Sequence, residues 1–304
     1  MRILLFLVRR HCVLFLRNKL NILLSFASII IILGIYIMFL RDFMIDMVAQ
    51  HGVLPSHVDA FTDRFMTAGL LVVIGTTTCF GVVQIAVNDA AVGIKRDYLV
   101  APATTFQITM GYLIASTLIS SFFTCLSVVG CMTFFDWNYG SVPSINEILK
   151  ICGTSMYSCC MNSMILLCLT RPLKSTATFS TLANLYGTVI GFLAGAYLPC
   201  YFYPSWLRDI LFYFPPAQMA SVLRQMFTRD MSLEFKTESL LRAFGICLER
   251  SGEIVSLTEQ WRILVLSGLI LLAILCILNL ENKFNLKRIR GIKFIRIKGR
   301  GVEK

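Results

Sequence analysis

Charge is what this sequence has least of. Only 15% of its 304 residues are Asp, Glu, Lys or Arg, whereas 57% are hydrophobic. A soluble domain carries about 25% charged residues, so the composition excludes that class and leaves a polytopic, all-α membrane protein. Chemistry is scarce as well. The sequence has no G-x-x-x-x-G-K-[ST] phosphate loop, no HExxH and no GxSxG, so the chain is not expected to hydrolyse ATP alone, and neither a catalytic residue nor a cofactor or metal site is expected in it. His51 and His57 share one stretch but have no Cys or carboxylate pattern that would complete a zinc site. Most of the 11 cysteines lie in apolar runs, where the thiol behaves as a small hydrophobe. Cys200 and Cys247 fall in the stretch 199–260 that is expected on the outer side, where they could form a disulfide, but nothing in the sequence fixes their distance and pairing is not expected.

What is present is a set of long uncharged runs. Asp, Glu, Lys and Arg are missing from 20–40, 65–88, 98–135, 151–170, 175–207 and 263–280. A helix crossing roughly 30 Å of hydrocarbon takes about 20 residues. Six spans follow, at 22–40, 65–88, 106–135, 148–169, 176–198 and 261–280. Pro102 disfavours helix just before it, so the third span is expected to start near Phe106. Pro199 and Pro204 close the fifth. The next apolar stretch, 210–223, is short and contains Pro215 and Pro216, which makes it a re-entrant or interfacial element within an outer loop at 199–260.

Basic residues orient the spans. Arg2, Arg9, Arg10, Arg17 and Lys19 precede the first, Lys95 and Arg96 follow the second, and Arg171 and Lys174 follow the fourth, while nine more bases occupy the tail from Lys283. With six spans these fall on one side, which the positive-inside rule makes cytoplasmic. Both termini are then expected inside the plasma membrane. The net charge of +11 is a topology signal, and nucleic acid is not an expected partner. Residues 1–21 read as an interfacial helix or as a charged anchor for the first span. The tail, 283–304, repeats base and apolar residue and reads either as a segment that holds anionic lipid headgroups or as an orientation signal alone.

Three features inside the spans carry further expectations. Thr77, Gly81, Gln84 and Asn88 recur at helical spacing on the second span, so Thr77, Gln84 and Asn88 either line a pathway or bond a neighbouring helix. Gly187, Gly191 and Gly195 recur every four residues on the fifth, a stripe suited to close helix packing or a dimer interface. Asn162 reads as packing glue in the fourth.

The segment 88–105, NDAAVGIKRDYLVAPATT, interrupts two apolar runs. Its Asp89, Gly93, Asp97, Leu99 and Pro102, with Gly111 and Tyr112 after them, resemble the cytoplasmic loop of ABC type-2 exporter permeases. The stretch 191–227, GFLAGAYLPCYFYPSWLRDILFYFPPAQMASVLRQMF, is similar to that family's fifth helix end and outer re-entrant pair. The resemblance implies a coupling segment at 89–105 that docks on an ATP-binding cassette subunit through Asp89, Gly93, Arg96, Asp97, Tyr98 and Pro102. It also implies that ATP and Mg are held by that partner, and that a second permease copy or paralogue completes the transporter. Ala90, Ala91 and Thr105 stand where relatives often carry charge, which implies fewer ion pairs at this contact. Uncharged, Ser/Thr- and Phe-rich spans suit an amphipathic or hydrophobic cargo such as a drug or antimicrobial peptide, and equally a lipid-linked glycan. Two other readings stay open: an ATP-independent carrier or pore, and a membrane scaffold or immunity protein acting through its outer loop.

Overall fold

A computed structural model describes residues 2–50, 55–94, 103–140, 143–173, 175–197, 202–229, 244–250 and 253–299. The elements are nearly all helical: α1 (Arg2–Arg17), α2 (Lys19–Ile35), a π-helical turn (Tyr36–Leu40), α3 (Arg41–Gln50), α4 (Pro55–Ala91), α5 (Thr105–Tyr139), α6 (Ile145–Thr170), α7 (Thr176–Leu193), α8 (Ser205–Tyr213), α9 (Pro215–Phe227) and α10 (Leu257–Gly299). One two-residue antiparallel pair, β1 (Glu249–Arg250) with β2 (Glu253–Ile254), precedes α10.

Among the described residues, five helices are long and apolar enough to cross a membrane: Lys19–Gln50, His57–Ala91, Thr105–Tyr139, Ile145–Thr170 and Leu257–Asn279. The composition leads one to expect six. The missing one, α7, is only 18 residues long, and Ser180, Thr181, Asn184 and Thr188 lower its apolarity. It also stops before the anticipated Pro199. Gly195 adopts φ +65°, and the amides of Gly195 and Ala196 donate to the carbonyls of Phe192 and Gly191 at 2.8 and 3.0 Å. That paired bonding ends a helix as firmly as a proline does.

The first two spans are longer than the apolar runs. Residues 41–64, whose charges suggest an outer loop, are helical in Arg41–Gln50 and from Pro55 onward. Arg41 and Asp63 bond each other, so this pair is satisfied between helices, while Asp42, Asp46 and Asp59 are exposed. The other helix starts are set locally. Thr104 caps α5 and Ser144 caps α6, each reciprocated by the side chain three residues on, Gln107 and Glu147. Helix α10 continues without a break through the expected tail to Gly299. The expected coupling segment, 89–105, overlaps the end of α4 at 89–91; beyond Gly93 most of it lies outside the described residues.

Helix α4 is the centre. In its most apolar window 72% of residues are buried, against 12% for Lys19–Gln50 and 17% for the last span, so α5, α6, α7 and α9 pack around it while α2 and α10 stay peripheral. Hydroxyls and thiols join α4, α5 and α6: the Ser116 and Ser163 hydroxyls lie 2.9 Å apart, and Cys79 Sγ lies 3.3 Å from Ser163 Oγ. Asn162 is buried, but its Oδ1 meets no donor among the described residues, so packing glue does not describe that atom. The short helices α8 and α9 meet at Phe214, with Pro215 and Pro216 opening α9. Arg224 of α9 is buried. It donates to the carbonyls of Ala194 and Gly195 at 2.7 and 2.8 Å and lies 4.4 Å over the Phe65 ring.

An alanine at Gly195 would take a left-handed conformation costing about 1–2 kcal/mol, with its Cβ 2.7 Å from Arg224 Nη2. Gly195→Ala should therefore lower the melting temperature of the purified protein. Gly187→Ala, whose Cβ meets Phe80 only at 3.4 Å, should not.

Candidate functional site

Two polar clamps grip the ends of α4. At one end Asp63 is buried and accepts from the Tyr36 hydroxyl at 2.5 Å, from Arg41 Nε at 3.1 Å, and from the Tyr139 hydroxyl. The π-helical turn begins at Tyr36, which is buried while Ile37, Met38 and Phe39 beside it are exposed. At the other end Asp89, also buried, accepts from Arg10 Nη1 at 2.7 Å and from the Tyr112 hydroxyl at 2.5 Å. The two carboxylates are about 26 residues apart, or about 39 Å along the helix at 1.5 Å per residue. A hydrocarbon core of about 30 Å fits between them.

The Asp89 clamp fixes α1. Leu7, Val8, His11 and Phe15 form its buried face. The His11 ring stacks on Tyr112 with centroids 3.9 Å apart. A Cβ on Gly111 would lie 3.0 Å from Leu7 Cβ, so the Gly111-Tyr112 pair gives the helix both close approach and a ring to stack on. Arg10 Nη1 also reaches His11 Nδ1 at 3.3 Å, where a neutral imidazole accepts. Burial above all, and then the Arg10 charge, hold the His11 pKa down to about 4, with Asp89 opposing them. A third polar knot lies near this end. Arg171 donates to the Leu278 carbonyl and, at 3.1 Å, to Asn279 Oδ1, which also accepts from Thr109 at 2.9 Å.

Between the clamps a cleft of about 460 Å³ opens among α2, α4 and α7. Thr77 and Gln84 line it with Gly81 and Gly187, joined by Asn21, Ser25, Asn184 and Thr188 and by the rings of Phe80, Phe179 and Tyr197. None of its lining side chains is charged. Asn88 does not line it and is exposed. Gly191 and Gly195 serve the chain's own packing: a Cβ at Gly191 would run into the Tyr197 ring, and one at Gly195 into Arg224. The stripe therefore divides into one cleft residue and two close contacts.

Of the six expected docking residues, Asp89 turns inward to Arg10 and Tyr112, and Gly93 makes a left-handed turn at φ +88° just past α4. Arg96, Asp97, Tyr98 and Pro102 lie outside the described residues, as does Cys200. Neither clamp is visible in the sequence, where Tyr36, Arg41, Asp63 and Tyr139, and Arg10 with His11, read as loop residues, span ends or an anchor. The available signal is an Asp within two residues of each end of the 65–88 run, Asp63 and Asp89. No family model and no curated protein matches the chain.

His11 titrates below its ordinary value of 6.5, so the stability it adds as a neutral ring is complete above about pH 6.5 and is lost as pH falls toward about 4. His11→Phe keeps the stack and cannot titrate. The melting-temperature advantage of the wild type over His11→Phe should shrink between about pH 7 and about pH 4.5; an advantage constant over that range would contradict the burial argument.

Proposed function

We propose that the chain is the permease subunit of an ATP-driven exporter of the ABC type-2 class, resident in the plasma membrane with both termini cytoplasmic. Its six crossings are the five long apolar helices and α7. It works with a second permease copy or paralogue and with cassette subunits that hold ATP and Mg, and it moves an amphipathic or hydrophobic cargo outward. The observation that carries this reading is the open, uncharged cleft among α2, α4 and α7. Its volume lies in the range of about 300–1,000 Å³ of small-molecule sites, and its rings and amides suit a cargo with apolar bulk and few polar groups. With no carboxylate, imidazole or amine in its lining, the cleft offers no proton relay, so work must arrive mechanically.

The clamp at Asp89 supplies a route for that work. The docking residues on this reading are Arg96, Asp97, Tyr98 and Pro102 in the segment after Gly93, while Asp89 binds α1 to the foot of α4. A push on the segment then moves α1 and α4 together, and α4 carries Thr77 and Gln84 into or out of the cleft. This changes the part given to Asp89 from contact with the cassette to transmission.

The test is recovery of the chain from its own membranes. An ATP-binding cassette subunit should co-purify, and Asp97→Arg should abolish its recovery and ATP-dependent export without reducing the amount of permease in the membrane. Recovery without any cassette subunit would overturn the reading in favour of a pore or a scaffold. Gly187→Leu, which projects into the cleft, should leave the complex assembled and remove the response of its ATPase to cargo.

A further inference from the structure

A second, smaller hollow lies on the opposite side of α2. Its volume is about 280 Å³, and its walls are Phe26, Ile29 and Ile37 on one side and Leu126, Gly130 and Phe134 of α5 on the other. Ile37, Leu126 and Phe134 are themselves exposed at the mouth, so the hollow opens sideways where long apolar helices would meet lipid. From Phe26 to Ile37 it extends for about 16 Å along the helix axis. That shape holds one hydrocarbon chain rather than a fused-ring body.

The polar groups set the head of the occupant. Asp63, Tyr36 and Thr67 line one end and Ser127 lies deeper. Every hydroxyl hydrogen here already has an acceptor: Tyr36 and Tyr139 donate to the Asp63 carboxylate, Thr67 to the Asp63 carbonyl at 2.7 Å, and Ser127 to the Phe123 carbonyl at 2.9 Å. What these oxygens offer a ligand is lone pairs, beside a buried carboxylate. A head that only accepts would face acceptors, because the Arg41 guanidinium beside Asp63 is already bonded to that carboxylate. The geometry points to a site for a single-chain amphiphile whose head donates hydrogen bonds, a hydroxyl or an ammonium, entering from the bilayer with its head at the Asp63 end. Asp63 lies just beyond the uncharged run 65–88. The bound molecule would therefore sit as a lipid does, head at the interface and tail in hydrocarbon. The site is separate from the cleft among α2, α4 and α7 and does not depend on the nature of the energy source.

Photolabelling of the full chain in nanodiscs tests this, with four diazirine probes sharing one alkyl chain: the alcohol, the primary amine, the methyl ether and the carboxylate. The alcohol, the amine or both should label peptides covering 26–37 and 126–134, with the ether and carboxylate labelling about tenfold less or weaker. Gly130→Leu is the blocking variant, because a Cβ there has nothing within 4 Å and the longer chain fills the hollow without displacing a neighbour. It should abolish this labelling at an unchanged melting temperature. Thr67→Val, which keeps shape and removes an acceptor, should weaken it. Equal labelling by all four heads, persistence in Gly130→Leu, or no labelling by alcohol and amine would overturn the assignment, whatever partner the chain is found with.

Discussion

Two carboxylates buried at opposite ends of one helix hold this structure together. Asp63 and Asp89 both sit beyond the apolar part of α4, and each is met by an Arg and by Tyr hydroxyls from other helices. Burying a charge is unfavourable unless its lone pairs are filled, and removing one partner of such a pair typically costs about 3–5 kcal/mol. The helices that supply the partners are therefore not free to drift. Tyr36 and Arg41 fix the end of the first span, Tyr139 the end of α5, Tyr112 its beginning, and Arg10 the amphipathic α1. Between the clamps, the Ser116, Ser163 and Cys79 contacts join α4, α5 and α6 across the middle.

The same arrangement divides the molecule into a tied body and a looser margin. Helices α4, α5 and α6 share both end clamps or the central hydroxyls, whereas α2 and α10 bury little of their apolar surface. Both hollows lie on that seam. The larger one separates α2 and α7 from α4, and the smaller one separates α2 from α5. Ligand-binding regions commonly come from the less tightly packed part of a fold, because they have to open.

Much of the fold is legible in the sequence because lipid imposes a simple rule on composition. The uncharged runs mark the five long apolar helices to within a few residues at the ends nearest the Asp89 clamp, and the break at Pro215 and Pro216 marks the α8–α9 pair. Legibility fails where a charge is neutralised by a partner far away in sequence. Arg41 and Asp63 look like loop residues until Tyr36 and Tyr139 are seen beside them, and Asp89 looks like a docking residue until Arg10 is. The end of α7 escapes for a similar reason: Gly195 and the guanidinium of Arg224 satisfy its last carbonyls, a contact between residues about 30 apart that no local pattern announces. Thr77 and Gln84 stand out by helical spacing alone, because they differ in polarity from their surroundings and the spacing puts them on one face. Their partners across the cleft, Asn184 and Thr188, share a helix with glycines whose regular spacing is the stronger pattern.

The position of Arg224 limits how the proposed machine could work. Its guanidinium bonds the carbonyls that close α7 and lies over Phe65 of α4, so the Asp63 end of α7 is pinned to the tied body. No comparable side-chain contact joins the beginning of α7 to α4 among the described residues; Phe80 against Phe179 is a ring contact at 6.5 Å. A cleft between two helices that are pinned at one end opens at the other, as a hinge does. The pivot would then be the turn at Gly195, where the left-handed backbone already sets α7 apart from Ala196 and Tyr197. Thrust delivered at the Asp89 end acts at the greatest distance from that pivot, about 30–36 Å along α4 from Gly69 and Phe65, which face it, where a given force has most leverage on the cleft. Buried polar contacts at the far end and apolar ring contacts at the near end are thus the distribution that a lever of this kind requires.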